Sequence, residues 1–228
     1  MLEVLRKLKS LLIYCYIKTV DTINQELTCA EELVTELAKY DVISFDVFDT
    51  LIFRPFKEPT DIFEIIGEKL NSKYFKEKRV RAELKARKML NKEISIHDIY
   101  EIMEEETGIR KETGIDIEFQ TEKELCYANT YLMKVFNTLV SMAKDIIIIS
   151  DMYLPQCLLE EIMIAKGYQG YKKIYISCDY NCSKRDGGLY KLVLKDIGSK
   201  SLVHIGDNII SDVISAKKFK IKAKYYKK

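Results

Sequence analysis

The feature that most constrains this chain is a short apolar run that ends in two closely spaced carboxylates. Residues Val42–Phe45 are mostly β-branched or aromatic, and Asp46 and Asp49 follow them. Such a run predicts a buried strand of a parallel sheet, and open α/β sheets bind ligands at the carboxyl ends of their strands. Asp46 is therefore expected at the active-site edge of an α/β domain.

The two carboxylates suit a phosphate-transfer reaction. An ionised Asp46 can attack phosphorus and form an acyl-phosphate, which splits hydrolysis into two easier steps. Asp49 can protonate the leaving alkoxide and then deprotonate water, and such acid–base help is worth about 10²–10⁴ in rate. Taken without the rest of the chain, the pair is explained equally well as ordinary strand-end and turn carboxylates.

Two further segments supply groups that bind phosphate. The run 145–149 ends at Ser150, whose hydroxyl is suited to holding a phosphoryl oxygen. Lys184 precedes a predicted helix, and its ammonium is suited to neutralising a phosphate and the attacking carboxylate. Lys191 is a second candidate for this role, although its place in the helical pattern 190–197 favours a surface position.

A fourth segment carries an acidic pair that is typical of a magnesium site. The strand-like run 201–205 leads into Gly206 and Asp207, and Asp212 follows at a predicted helix start. Magnesium favours oxygen ligands, keeps several waters and is usually held by one or two carboxylates plus substrate phosphate. The two carboxylates are therefore predicted to bind Mg²⁺ as a cofactor.

The ordered set of four segments resembles the four motifs of the haloacid dehalogenase (HAD) superfamily, whose members are mostly Mg-dependent phosphatases. The resemblance covers roughly residues 41–54 and 140–226. It implies that Asp46 is the nucleophile, Asp49 the general acid/base and Lys184 the third-motif cation. It also implies a metal held by Asp46, the main-chain oxygen of Asp49, Asp207 and Asp212.

The resemblance also bears on substrate binding and on the branch of the family. The substrate-binding candidates are Thr50, which completes the first motif, Ser150, Asp151 and Arg54, which could pair with a second anionic group. Phosphatases of the family place a carboxylate two positions after the nucleophile, whereas dehalogenases do not, because a leaving halide needs no proton. Asp49 is expected to fill that role, which favours phosphoryl transfer to water and leaves a phosphomutase as an alternative.

The chain is long enough for one catalytic core with a smaller attachment, since it has 228 residues. Residues 41–56 and 140–228 are predicted to form a Rossmann-like, HAD-type three-layer core with a parallel sheet. Residues 57–139 exceed what a βαβ crossover needs and carry helical patterns, so they are predicted to form an inserted all-helical cap. Residues 1–40 are predicted to form a helical extension packed on the core, with a membrane surface or protein partner as alternatives.

Composition limits the kinds of partner that the protein is expected to bind. The 37 basic and 35 acidic residues give a net charge of +2, and no nucleic-acid partner is expected. The N-terminal apolar run falls short of the roughly 20 residues needed to span a bilayer, so no stable membrane insertion and a cytoplasmic location are expected. A small phosphorylated metabolite, such as a sugar phosphate, is the expected substrate on family analogy. A non-catalytic binding or scaffold protein is the remaining alternative.

Overall fold

The computed structural model describes residues 21–227, and its centre is a six-stranded sheet. The spatial order of the strands is β1-β8-β7-β2-β5-β6, and every neighbouring pair is parallel. Two further strands, β3 and β4, form a separate antiparallel pair. The strands are β1 (Thr22–Asn24), β2 (Val42–Phe45), β3 (Ile52–Phe53), β4 (Tyr127–Ala128), β5 (Asp145–Ser150), β6 (Lys173–Ile176), β7 (Leu202–Gly206) and β8 (Lys222–Lys227).

Helices flank the sheet and fill the segment between β3 and β4. The α-helices are α1 (Ala30–Leu37), α2 (Ile62–Lys69), α3 (Phe75–Leu90), α4 (Ile96–Thr107), α5 (Lys111–Leu125), α6 (Thr130–Ser141), α7 (Gln156–Ala165), α8 (Ser177–Tyr180), α9 (Gly188–Ile197) and α10 (Ala216–Lys218). A 3₁₀ turn covers Pro59–Asp61, and a π-helix covers Ile209–Ser215. The predicted α/β class with a parallel sheet is confirmed.

The two faces of the sheet pack into two separate apolar clusters. Val42 and Ile147 belong to one cluster, whereas Ile43 and Ile146 belong to the other, because successive strand residues point to opposite faces. Helices cover both faces, so all four residues of β2 are buried. This is why the strand reads as a continuous apolar run and why the domain has three layers.

Strand β2 lies in the middle of the site-forming edge. It pairs with Asp145–Ile148 of β5 on one side and with Leu202–Ile205 of β7 on the other. The three strands run in the same direction, so the residues that follow them meet at one edge of the sheet. Residues 46–50, 150–151 and 206–212 are brought together in this way.

The segment between β3 and β4, here called the helical insertion, leaves and rejoins the core at one place. Strand β3 pairs with β4, with Ile52 opposite Ala128 and Phe53 opposite Tyr127. The Asn129 amide donates to the Thr50 carbonyl at 2.8 Å, which ties the return point to the first motif. Helices α2 to α5 all lie within this insertion.

The described part of the predicted N-terminal extension differs from a purely helical segment. Strand β1 pairs in parallel with β8 and thereby extends the sheet, and only α1 after it is helical. The buried ammonium of Lys224 joins β8 to this region through Asp21 at 3.0 Å and Glu36 at 2.6 Å. Residues 1–20 of the predicted helical extension lie outside the described residues.

Between residues 21 and 227, none of the helices combines the length and the apolar character that a bilayer crossing requires.

Candidate active site

Asp46 lies directly after β2 and is held at the sheet edge by its backbone. Its N–H donates to the Ile205 carbonyl of β7 at 2.8 Å, and its side chain is buried. Burial raises the pKa of Asp46 above its ordinary value, and the adjacent Lys184 acts against that rise. Lys184 Nζ lies 2.5 Å from Asp46 Oδ1 and donates a charge-assisted hydrogen bond to it.

Lys184 is fixed at both ends. Its backbone N–H donates to Asp151 Oδ1 at 2.6 Å, and its carbonyl accepts from Ser215 Oγ at 2.6 Å. Its buried ammonium lies between Asp46 and Asp212, at 2.5 and 2.6 Å. Burial alone lowers the pKa of Lys184, but the two carboxylates outweigh it and hold the pKa well above its usual value. The alternative lysine, Lys191, is exposed on α9.

Asp212 approaches the sheet where glycine leaves room for it. A Cβ added at Gly206 would lie 2.3 Å from Asp212 Oδ2. The Asn208 side chain accepts from the Ile210 and Ser211 backbone N–H groups and begins the π-helix that carries Asp212. Burial alone raises the pKa of Asp212, but Lys184 holds it below its ordinary value.

Three carboxylates form a group that we call the acidic cluster: Asp46, Asp207 and Asp212. One oxygen from each lies within 4.8 Å of the others. Burial and the neighbouring carboxylates of Asp212 and Asp49 raise the pKa of Asp207 to about 6. Thr50 bridges two members, since its hydroxyl lies 3.4 Å from Asp46 Oδ2 and 3.5 Å from Asp207 Oδ1.

The acidic cluster fits a hard divalent cation. Its donors are all carboxylate oxygens, which are the ligands that Mg²⁺ prefers. Both Asp212 oxygens are already used, Oδ1 by Lys184 and Oδ2 by the Asn208 N–H at 2.8 Å. Asp46 and Asp207 are therefore better suited to direct ligation, and Asp212 to holding Lys184.

Counting along the first motif corrects the expectation for Asp49. Asp49 stands three residues after Asp46, so the second position after the nucleophile belongs to Phe48. The main-chain oxygen that the resemblance implies as a metal ligand therefore falls on Phe48, not Asp49. Among the described residues, Asp49 does not join the acidic cluster. It has a φ of 59°, a left-handed turn that aspartate tolerates.

The second motif divides into two parts with different contacts. Ser150 is buried at the carboxyl end of β5, two residues beyond the partner of Phe45. The Asp151 carboxylate instead accepts from the backbone N–H groups of Lys184 at 2.6 Å and Arg185 at 3.4 Å. Its side chain thus holds the lysine loop, a contact that was not expected for a substrate-binding candidate.

Arg54 is engaged by the protein itself. Its Nε and Nη2 donate to both oxygens of Glu122 on α5, at 2.8–3.0 Å, and its guanidinium stacks 4.0 Å from the Phe48 ring centre. Burial alone lowers the pKa of Arg54, but Glu122 outweighs it and raises the pKa. The expected partner was a substrate anion, whereas the observed partner is a buried glutamate.

Several residues of the site were missed or misplaced by sequence reasoning. Arg79 is fully buried and pairs with Glu118 at 2.8 Å, a contact between distant segments that local patterns do not indicate. His204 is also buried, and its Nε2 lies 3.3 Å from Asp212 Oδ1. Ser44, its partner on the other side, is the one polar residue in β2, and that isolated polar position is the sequence signal that points to it.

Comparisons with known proteins agree with this architecture. No family model matches the sequence, and no curated protein does. Among solved structures, the L-2-haloacid dehalogenase of Xanthobacter autotrophicus is 14% identical over 81% of this chain and 76% of its own, with a TM-score of 0.56. A HAD family enzyme of Bacteroides thetaiotaomicron, in complex with magnesium and inorganic phosphate, is 16% identical over 82% and 94%, with a TM-score of 0.58.

A third similar structure is described as a candidate beta-phosphoglucomutase from Thermotoga maritima. It is 16% identical over 82% of this chain and 84% of its own, with a TM-score of 0.57. The parallel sheet and the carboxylates at its edge define an α/β domain of the Rossmann-like class. The fold is similar to that of these haloacid dehalogenase (HAD)-type enzymes, and the resemblance drawn from the motifs is confirmed for the fold alone.

Proposed function

We propose that this protein is a Mg²⁺-dependent phosphatase that hydrolyses a small phosphate monoester through an aspartyl-phosphate at Asp46. The observation that carries the proposal is the contact of Asp46 with Lys184 inside the acidic cluster. A strand-end carboxylate held by a buried ammonium, beside oxygen ligands for a hard cation, suits attack on a phosphoryl group.

In the first step, a carboxylate oxygen of Asp46 bonds to phosphorus while the bond from phosphorus to the leaving oxygen breaks. Lys184 neutralises the charge that the phosphoryl group brings, and Ser150 holds one of its oxygens. In the second step, water attacks phosphorus, the Asp46–phosphorus bond breaks and inorganic phosphate leaves. Mg²⁺, held by Asp46 and Asp207, would supply charge stabilisation at the phosphoryl oxygens.

We assign proton transfer to Asp49 because of its place beside the acidic cluster. Asp49 does not occupy the second position, but it lies near enough to Asp207 to contribute to the rise of that group's pKa. Its left-handed backbone turns the chain directly after Phe48. Asp49 would protonate the leaving alkoxide in the first step and accept a proton from water in the second.

The helical insertion is proposed to act as the cap. Glu122 of α5 reaches Arg54 just after the first motif, and the Arg79 guanidinium lies 4.8 Å from the ring of Tyr153, three residues after Ser150. These contacts support a position beside the site, where a cap excludes water and contacts the leaving group. A sugar phosphate is the proposed substrate class.

The test is release of inorganic phosphate from sugar phosphates, nucleotides and p-nitrophenyl phosphate, with Mg²⁺ or with EDTA. Wild type is compared with Asp46→Asn, which keeps size and shape but removes the nucleophile. We expect metal-dependent release that is lost in the variant while its melting curve stays cooperative. Full activity of Asp46→Asn would refute the assignment of the nucleophile.

A dehalogenase is the second candidate, and the residue that favours it is Phe48. With Phe48 at the second position, the first motif lacks the carboxylate that distinguishes the phosphatases. Halide release from 2-haloacids, measured on the same protein without metal, separates the two reactions. A phosphomutase would instead show isomerised or bisphosphorylated sugar in place of free phosphate.

A further inference from the structure

A row of buried polar side chains runs from the middle of the sheet to the candidate nucleophile. Ser44 Oγ lies 2.8 Å from His204 Nδ1, and His204 Nε2 lies 3.3 Å from Asp212 Oδ1. The same Asp212 oxygen lies 2.6 Å from Lys184 Nζ, which contacts Asp46. Ser44, His204, Asp212 and Lys184 are all buried, so every polar atom in the row needs a partner within the protein.

The contacts on either side of the ring fix the position of the His204 proton. A bare Nε2 would face a carboxylate oxygen, so the proton belongs on Nε2 and is donated to Asp212. In a neutral ring Nδ1 is then an acceptor, and the Ser44 hydroxyl, 2.8 Å away, is the donor within reach.

The Ser44 hydroxyl has a second acceptor, which does not change this conclusion. The Val203 carbonyl lies 3.2 Å from Ser44 Oγ, farther than His204 Nδ1 at 2.8 Å. One hydroxyl proton cannot serve both acceptors, and in a neutral ring the closer one, Nδ1, would otherwise be buried without a donor. The Tyr190 ring packs edge-on against the imidazole, with centres 5.6 Å apart, and limits its rotation.

We propose that Ser44 and His204 are positioning residues that orient Asp212 and, through it, hold Lys184 against Asp46. Asp212 Oδ2 is held by the Asn208 N–H, and His204 contacts the other oxygen, Oδ1, which also contacts Lys184. Ser44 selects the tautomer that can do so. The effect on turnover rests on the proposed function, whereas the tautomer and the position of Lys184 do not.

The tautomer is measured first, because it needs no substrate. The chain has two histidines, so His97→Gln leaves His204 as the only imidazole in a two-bond ¹H–¹⁵N correlation spectrum. We expect the proton on Nε2 and a hydrogen-bonded, unprotonated Nδ1, and Ser44→Ala in this background should shift the Nδ1 signal. A proton on Nδ1, in a neutral or charged ring, would overturn the proposed arrangement.

Kinetics then test the positioning of Lys184. His204→Leu removes the donor, and His204→Gln keeps an amide N–H in reach of Asp212. Removing a residue that orients a functional group of a metal site typically lowers activity or metal affinity about 10–100-fold. We expect kcat of His204→Leu to fall by this factor while its KM changes little. His204→Gln is expected to recover most of the wild-type kcat. Ser201→Ala, which removes a hydroxyl hydrogen bond to Asp41 at the opposite end of the same strands, is the matched control.

Crystal structures of the same variants separate this inference from the proposed function. If the wild type has no phosphatase activity, the proposed function fails, and the separation of Lys184 Nζ from Asp46 decides the positioning role. We expect it to exceed hydrogen-bond length in His204→Leu and not in His204→Gln. If His204→Leu does not fold, kcat and the Lys184–Asp46 distance are measured in Ser44→Ala instead. Unchanged kcat and an unchanged Lys184–Asp46 contact would overturn the proposal.

Discussion

The buried ion pair of Arg79 and Glu118 should make the helical insertion sensitive to the loss of either charge. Arg79 Nε and Nη2 each lie 2.8 Å from a Glu118 oxygen, and Tyr100 OH donates to the same carboxylate at 2.8 Å. Glu118→Gln leaves the guanidinium buried, with Glu83 at 3.2 Å as its remaining carboxylate partner. Removing one member of a buried pair costs about 3–5 kcal/mol.

This loss should appear as a large fall in melting temperature. In a protein of 228 residues, each kcal/mol shifts the melting temperature by about 2–4 °C. Glu118→Gln is therefore expected to melt about 6–20 °C below the wild type. Calorimetry and circular dichroism at fixed pH and magnesium measure the change. The control is Glu83→Gln, which removes the partly exposed partner of Arg79 and should cost about 1 kcal/mol or less.

A combined replacement tests whether the cost comes from the unpaired charge. Replacing Arg79 by Met, Glu118 by Leu and Tyr100 by Phe removes both charges and the hydroxyl that would lose its acceptor. Hydrophobic replacement of a buried pair is often neutral or stabilising, so most of the lost stability should return. A Glu118→Gln protein that melts within about 2 °C of wild type, or a triple variant as unstable as the single one, would refute this reasoning.

Two further predictions concern the acidic cluster. Gly206→Ala places a Cβ 2.3 Å from Asp212 Oδ2, so Asp212 must move. Because a displacement of about 1 Å in an active site can lower the rate 10²-fold, kcat in phosphate-release assays should fall by about that factor. Wild-type kcat would contradict this. The pKa of Asp207 is raised to about 6, so its contribution to apo stability falls as pH rises from about 4 through 6. Asp207→Asn should thus raise the apo melting temperature at pH 7 and abolish the increase caused by Mg²⁺; an unchanged Mg²⁺ response would refute its role.

The strands that carry the site could be predicted because they are buried on both faces. The segments that became β2, β5 and β7 are mostly apolar, and parallel order then places their carboxyl ends together. Strand β1 could not be found in this way, since it is a three-residue edge strand with the sequence Thr-Ile-Asn. Its place in the sheet depends on pairing with β8 at the other end of the chain.

The partners of the buried charges could not be predicted for a different reason, which is their distance along the sequence. Arg79 is 39 residues from Glu118, and Arg54 is 68 residues from Glu122. Local patterns instead indicate partners one helical turn away, which for Arg79 is Glu83. Glu118 and Glu122 themselves stand one turn apart on α5, so their shared burial was visible only once the packing of that helix was known.

The contacts of Arg54 argue against a simple role in binding a substrate anion. To reach a second anionic group, its guanidinium would have to leave Glu122 or share it, and leaving Glu122 buried without its charged partner costs about 3–5 kcal/mol. A substrate would need to supply that energy before any net gain in affinity. Arg54 is better explained as the residue that joins the first motif to α5, stacked on Phe48 so that the helical insertion and the site keep a fixed relation.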